Sequence, residues 1–227
     1  MKLSSRLKTI LEMFEGQVAA DVGSDHGKLI ISLYQEGKIT RGYAIENKKG
    51  PYSRLYSEIE KNNLLDKVIP MLSDGISELP KDVDSIVIAG MGGGLIIDII
   101  QSHVENLKNV NYIYIDAHNS IPMVRRFICS LGFNIFKEEI VEENDIYYEI
   151  IGFKKDKVQS LDDLDYEFGP FLRKEKSNVF IRKHRNRIKE IEQILKLDNI
   201  PDEKRIELTK EKELLERIVG WKLGNYF

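Results

Sequence analysis

Val18-Ala19-Ala20-Asp21-Val22-Gly23-Ser24-Asp25-His26-Gly27 is the stretch whose reading decides the fold. A short apolar run ends in a polar turn bracketed by glycines, and an apolar helical segment, Lys28 to Tyr34, follows as far as Gly37. Glycine at such a junction lets the chain turn sharply and lets a ligand approach the backbone. Strand, glycine turn and helix in succession form the opening unit of a parallel sheet covered by helices.

Outward from this unit the alternation recurs. Arg41 to Ile45 reads as a strand ending at Glu46, Pro51 to Asn62 as a helix, and Val68 to Leu72 as a strand closed by Ser73-Asp74-Gly75. Ser85 to Ala89 is a strand running into Gly90-Met91-Gly92-Gly93-Gly94, with a helix over Leu95 to Gln101. Tyr112 to Ile115 is a strand, Asp116 to Ser120 a loop, and Pro122 to Leu131 a helix. Phe133 to Val141 and Ile146 to Lys154 make a final hairpin through the acidic turn Glu142 to Asp145. Upstream, Leu7, Ile10, Leu11 and Phe14 share one face of a helix over Ser4 to Phe14. Five strand–helix units and a terminal hairpin predict an α/β fold, a mostly parallel sheet with helices on both faces.

After Lys155 the character changes. A polar link, Gln159 to Asp165, leads to Phe168-Gly169-Pro170-Phe171, and from there to Val219 the chain is helical and highly charged. Ile188, Ile191, Ile194 and Leu195 fit one helical stripe; Ile206, Leu208, Leu214, Leu215 and Ile218 fit another. Asp198 to Pro201 is the turn between them, with Pro201 opening the second helix. The expected organisation is a ligand-binding domain over residues 1–155 and a coiled-coil-like antiparallel helical hairpin over 156–227.

Composition narrows the classes. Hydrophobic residues make up 42% and charged residues 31% of 227, with a net charge of -3, so the whole-chain charge does not mark a nucleic-acid binder. The single cysteine, Cys129, sits in an apolar helical pattern and reads as core; no intrachain disulfide or cysteine zinc cluster is possible, and no metal is expected. Met1 to Glu15 lacks the apolar run of a signal peptide, and no segment approaches the roughly 20 apolar residues of a membrane span. The expected compartment is the cytoplasm, with no membrane association.

In open parallel sheets ligands sit beyond the carboxyl ends of the strands. A dinucleotide loop there would read Gly-x-Gly-x-x-Gly, bringing backbone amides to a pyrophosphate. Here Asp25 stands at the second glycine and the third is missing. A carboxylate repels phosphate and suits the ammonium and sulfonium of S-adenosylmethionine. Glu46 follows Gly27 by 19 positions, near the spacing of an acid that holds ribose hydroxyls. Asp74, before Gly75, can accept from an adenine amino group. Taken singly these are an ordinary strand–helix turn, a solvated glutamate and an Asp-Gly turn. Together, in this order, they favour a nucleoside cofactor. Gly90, Met91 and Gly92 open the most glycine-dense segment, either a flexible loop or a backbone that must pass close beneath the reacting groups. It lacks the Asp/Asn-Pro-Pro-Tyr pattern that holds exocyclic amines, which argues against such an acceptor.

Arg6-Leu7-Lys8, Asp21-Val22-Gly23-Ser24-Asp25-His26, Gly50-Pro51-Tyr52, Asp74-Gly75, Ile88-Ala89-Gly90-Met91-Gly92-Gly93 and Phe168-Gly169-Pro170-Phe171-Leu172 together resemble the bacterial tRNA adenine-N1 methyltransferase family TrmK. The resemblance spans almost the whole chain. It departs at Asp116-Ala117-His118, where the family would bring something closer to Gln-Pro-Asn. It implies a Rossmann-like class I methyltransferase fold, S-adenosyl-L-methionine as cofactor, and methylation of N1 of adenine 22 in tRNA. Arg6, Asp21, Gly23, Ser24, Glu46, Asp74, Gly75, Gly90, Met91 and Gly92 then become cofactor-binding candidates, and Asp25 and His26 the catalytic ones. Arg6 has three readings: the cofactor carboxylate, an RNA phosphate, or a surface ion pair.

N1 of neutral adenine has a free lone pair, so no base is needed and catalysis is chiefly alignment. N1 lies on the pairing edge, so the base must be exposed, which calls for a surface that grips RNA. Residues 173–189 hold eight basic residues (Arg173, Lys174, Lys176, Arg182, Lys183, Arg185, Arg187 and Lys189) against Glu175 alone, a balance of 8 − 1 = +7. A solvated helix face is the plainer reading of such a run; the contrast with the net charge favours tRNA. We expect a monomer with no obligatory protein partner. Two alternatives stay open from sequence, a nucleotide-dependent oxidoreductase and a non-catalytic methyltransferase-like scaffold that binds RNA or protein.

Overall fold

The computed structural model describes residues 3–156 and 160–220. Gln159, where the polar link was expected to begin, lies outside the described residues. By backbone contacts the chain divides into a unit up to Pro170 and a unit from Phe171 onward.

The first unit runs α1 (Ser5–Met13), β1 (Val18–Val22), α2 (Lys28–Gln35), β2 (Arg41–Glu46), α3 (Lys49–Lys61), β3 (Val68–Leu72), β4 (Ser85–Met91), α4 (Gly93–Gln101), β5 (Tyr112–Ala117), α5 (Ile121–Ser130), β6 (Phe133–Glu143), β7 (Ile146–Lys155) and α6 (Asp163–Phe168), with a 3₁₀ turn at Val104–Asn109. Strand order is β3-β2-β1-β4-β5-β7-β6. β1 to β5 pair in parallel, and β7 is antiparallel to both β5 and β6. The order reverses direction between β1 and β4, so loops leaving the carboxyl ends of those two strands diverge and leave a crevice.

Alternate residues of the central strands feed two cores. Ile86, Ile88, Ile113 and Ile115 pack with Ile96 and Ile100 of α4 and Val124 and Ile128 of α5. Val87, Tyr114 and Ile150 face Ile10 of α1 and Leu29, Ile30 and Leu33 of α2. Being buried on both faces explains why these strands read as continuous apolar runs.

Three details differ from the sequence reading. β3 reaches β4 through successive turns rather than a helix: Ser77 N donates to Asp74 O (3.1 Å), Leu79 N to Ile76 O (3.2 Å) and Val83 N to Pro80 O (3.1 Å). The hairpin turn is two residues, Asn144 and Asp145, both left-handed (φ 53° and 62°), so β6 extends through Glu143. Such a turn matches the twist of its flanking strands. Gly93 and Gly94 begin α4 instead of forming a loop.

The second unit holds α7 (Pro170–Glu175), α8 (Asn178–Leu195) and α9 (Asp202–Val219). α8 buries Phe180, His184, Ile188 and Ile191, and α9 buries Leu208, Leu215, Ile218 and Val219. Ile206, expected in the α9 stripe, is 56% exposed; it lies outside the register set by Leu208 and Leu215, which are one heptad apart. Among the described residues no helix is long and apolar enough to cross a membrane, and no three or more His, Cys, Asp or Glu side chains cluster as metal ligands. Cys129 is half-buried, and burial pushes its thiol up to about 11, as befits an inert packing residue.

Candidate functional site

The turn after β1 is held open by three left-handed residues: Gly23 (φ 74°), Asp25 (φ 42°) and Gly27 (φ 64°). At Gly23 the conformation favours glycine, and a Cβ would land on Met91 Cε, so the loop and the end of β4 touch only because no side chain is present. The loop is pinned to β2 from both sides. Gly23 N donates to Ile45 O (2.9 Å), and Asp25 N donates to Glu46 Oε1 (2.6 Å).

Two cavities adjoin at Gly23. The larger, about 320 Å³, is lined by Arg6, Asp21, Ser24, Asp25, His26 and Lys28, with Ala89 and Gly90 from β4. Its polar groups are two carboxylates and two cations beside a histidine, a pattern matched to a zwitterion. The second, about 220 Å³, is lined by Glu46, Asn47, Lys48, Ser73, Asp74 and Gly75 on its polar side. Its other wall is Met91, Leu95 and Ile99, and Leu95 is 53% exposed. An apolar wall opposite carboxylates at two strand ends suits a nucleoside, the ring lying on aliphatic carbon while the acids accept from hydroxyl and amino groups.

Asp21 is buried at the base of the larger cavity, and Ser24 Oγ donates to its Oδ2 (2.6 Å). Burial pushes its carboxyl up to about 6, with Glu46 adding to the rise and the Ser24 hydrogen bond opposing it. Such a carboxyl awaits a cation. Asp25 accepts from Arg54 Nη2 (2.9 Å), and His26 Nε2 lies 3.5 Å from its Oδ2. Arg54, from α3, had no signal in the sequence; the pair spans 29 positions.

Arg6 is not a surface ion pair. Its Nη1 donates to Asp116 Oδ2 (2.6 Å), its Nε lies 3.5 Å from Glu143 Oε2, and its guanidinium covers the Tyr148 ring at 4.4 Å. Asp116 is fully buried at the end of β5, with Oδ1 lacking a hydrogen-bond partner among the described residues. Burial holds its carboxyl above the usual range while Arg6 pulls the other way. Contacts of this kind join residues 110 positions apart and leave no local trace in sequence.

The remaining expected residues fall as follows. Asp21, Ser24, Asp25, His26, Arg6 and Gly90 meet in the larger cavity, Glu46, Asp74, Gly75 and Met91 in the smaller, and Gly23 in both. Gly92 is among the lining of neither; it is the N-cap of α4. In the second unit Lys174, Lys176, Arg182, Arg185 and Lys189 are exposed, and Arg173 and Lys183 partly so. Arg182, Arg185 and Lys189 follow one another at helical spacing on the side of α8 opposite Phe180 and Ile188. Arg187 of the expected RNA set is engaged within the second unit. Its Nε and Nη2 donate to Glu211 (2.7 and 3.1 Å) and its Nη1 to Glu190 (3.3 Å), so it ties α8 to α9.

A sequence profile of the family described as tRNA (adenine(22)-N(1))-methyltransferase matches residues 19–222. A Bacillus subtilis tRNA (adenine(22)-N(1))-methyltransferase is 28% identical over 96% of this chain and 94% of its own. Among solved structures, Streptococcus pneumoniae Sp1610 in complex with S-adenosyl-L-methionine superposes with a TM-score of 0.88 at 31% identity, covering 96% of this chain and all of the other. M. capricolum TrmK in complex with S-adenosyl-homocysteine gives 0.86 at 25%, covering 96% and 98%.

Proposed function

Because the chain belongs to the tRNA (adenine(22)-N(1))-methyltransferase family, we infer that it transfers a methyl group from S-adenosyl-L-methionine to N1 of adenine 22 in tRNA. The observation that carries this reading is the family match from residue 19 to 222, which takes in the smaller cavity, the larger one apart from α1, and the basic helix. The protein is an enzyme, and an oxidoreductase or inert scaffold has no support beside it.

S-adenosyl-L-methionine supplies an electrophilic methyl on a sulfonium. The lining fits that group without a phosphate site. In our reading Asp21 takes the ammonium, and Arg6, which lines the same cavity, offers its guanidinium to the methionine carboxylate. Glu46 keeps one oxygen on Asp25 N and turns the other to the ribose, and Asp74 takes the adenine amino group. Gly23, Ser24, Gly75, Gly90 and Met91 shape the walls. Asp25 lies at the rim, where a carboxylate offsets the positive charge that N1 gains as the methyl arrives; His26 orients Asp25. Since N1 attacks through its own lone pair, these groups bind and align rather than remove a proton.

Arg173, Lys174, Lys176, Arg182, Lys183, Arg185 and Arg187 are proposed to hold tRNA by its phosphates, Arg187 while also tying α8 to α9. The division between catalytic unit and hairpin is proposed as functional too, and the enzyme is placed in the cytoplasm as a monomer. Labelled methyl transfer to an unmodified tRNA transcript, followed by nucleoside mass spectrometry, tests the whole reading. N1-methyladenosine at position 22 is the expected product; cofactor binding without incorporation would defeat it.

A further inference from the structure

Beside the larger cavity, side chains from α1 and from the loop after β5 meet at Gly90. This residue is left-handed (φ 80°) and sits at an irregularity in the β4–β5 pairing, between Ala89 and Met91. A Cβ built there would lie 3.9 Å from Arg6 Nη1 and 4.0 Å from His118 Nε2, in ordinary contact with both and clashing with neither. Arg6 and His118 thus wall the space beside the backbone of Gly90.

Both walls are fixed in place. Arg6 is clamped by Asp116 and Glu143 and lies over Tyr148. His118 is anchored through its backbone, its N donating to Met91 O (2.8 Å), and its ring packs against Tyr148 at an interplanar angle of 65° with centroids 6.0 Å apart. Yet the imidazole itself is exposed, as are Asn119 and Ser120 after it. An exposed aromatic ring beside a reaction site can serve as a stacking platform, and so can a guanidinium plane. Since Ala89 and Gly90 also line the cavity assigned to the methionine end, a guest in that space meets the methyl donor directly.

We propose that the space over Gly90 receives the target adenine as a planar guest, with His118 as the residue that stacks on the flipped base and Arg6 beside it. This assigns substrate contact to the stretch Asp116-Ala117-His118 at the end of β5. A base taken out of its helix loses stacking on both sides, and a platform at the reaction site returns part of it. The inference rests on the methylation reading given above.

The test compares wild type, His118→Ala and His118→Phe in methyl transfer to an unmodified tRNA transcript, with S-adenosylhomocysteine affinity measured in parallel. His118 is exposed, so neither change should disturb folding. Expected is a loss of about tenfold or more in kcat/KM for tRNA in His118→Ala, with cofactor affinity unchanged. His118→Phe should stay within about threefold of wild type, because a second aromatic ring restores the platform. Wild-type kcat/KM in His118→Ala, a loss that Phe does not restore, or an equal loss of cofactor affinity would each overturn the platform while leaving the enzyme's reaction intact. A wild-type protein that transfers no methyl group to tRNA would instead remove the reading on which the platform stands, and the platform with it.

Discussion

Burial, aided by Glu46 and opposed by Ser24, pushes the Asp21 carboxyl up to about 6, and two consequences follow at the scale of one residue. The folded value lies above the unfolded one, so the protonated form is favoured by folding; that contribution is full below about pH 4 and lost as pH rises through 6. Asp21→Asn, which keeps an acceptor for Ser24, should therefore raise the melting temperature of the ligand-free protein at pH 8, and a lower one would contradict the buried charge. Ligand binding runs the other way. An ammonium beside Asp21 favours the ionised carboxylate, so S-adenosylhomocysteine affinity should climb as pH rises from 5 to 7, by up to about tenfold per unit below 6. Calorimetric titration of wild type and Asp21→Asn checks this, since the variant should bind more weakly at pH 7.5 and lose the slope. Glu46→Ala should also weaken binding, because it removes both the proposed ribose acceptor and the partner of Asp25 N.

Among the elements, α5, β6, β7 and α6 share one buried charge. Arg125 is fully buried; its Nε donates to Glu138 Oε1 (2.9 Å), its Nη2 to Glu149 Oε2 (2.6 Å), and its Nη1 to the carbonyl of Tyr166 (3.1 Å). Two ionised partners hold its charge against desolvation. Arg125→Met should cost about 3–5 kcal/mol in urea unfolding, because two buried carboxylates lose their cation. A loss below 1 kcal/mol would mean that water replaces it. None of this could be read from sequence. Arg125 falls within a segment that reads as an amphipathic helix, and its acceptors come from strands 13 and 24 positions away. What could be read was whatever local periodicity carries: β1 and β3 match their expected bounds, and the acids at strand ends followed from the topology. Gly93 marks the limit. Glycine density suggested a loop, whereas α4 begins there because its backbone must approach Asn119, whose Oδ1 accepts from Gly93 N (3.0 Å). A small residue used for packing and one used for freedom look alike in sequence. Arg6 shows the same limit within the site, since its partner Asp116 is 110 residues distant.

For the molecule as a whole, charge is divided unevenly. A chain of net -3 concentrates a balance of +7 in residues 173–189, which leaves -10 for the remainder. Acidic groups in the cavities proposed for the cofactor would by themselves repel RNA, and the exposed stripe of α8 is the proposed source of attraction. Phosphate contacts release counterions, so each one lost should flatten the salt dependence of binding. The double reversal Arg182→Glu and Arg185→Glu should therefore weaken tRNA binding by tenfold or more at about 0.1 M salt, and reduce the slope of log affinity against log salt by about two. Cofactor affinity should stay at the wild-type value, because neither residue lines a cofactor cavity. Fluorescence anisotropy with labelled tRNA over a salt series, alongside calorimetry with S-adenosylhomocysteine, separates the two quantities. Equal losses in both would refute the division of labour between a cavity that holds the cofactor and a helix that holds the RNA; an unchanged salt slope would move the RNA contacts off α8.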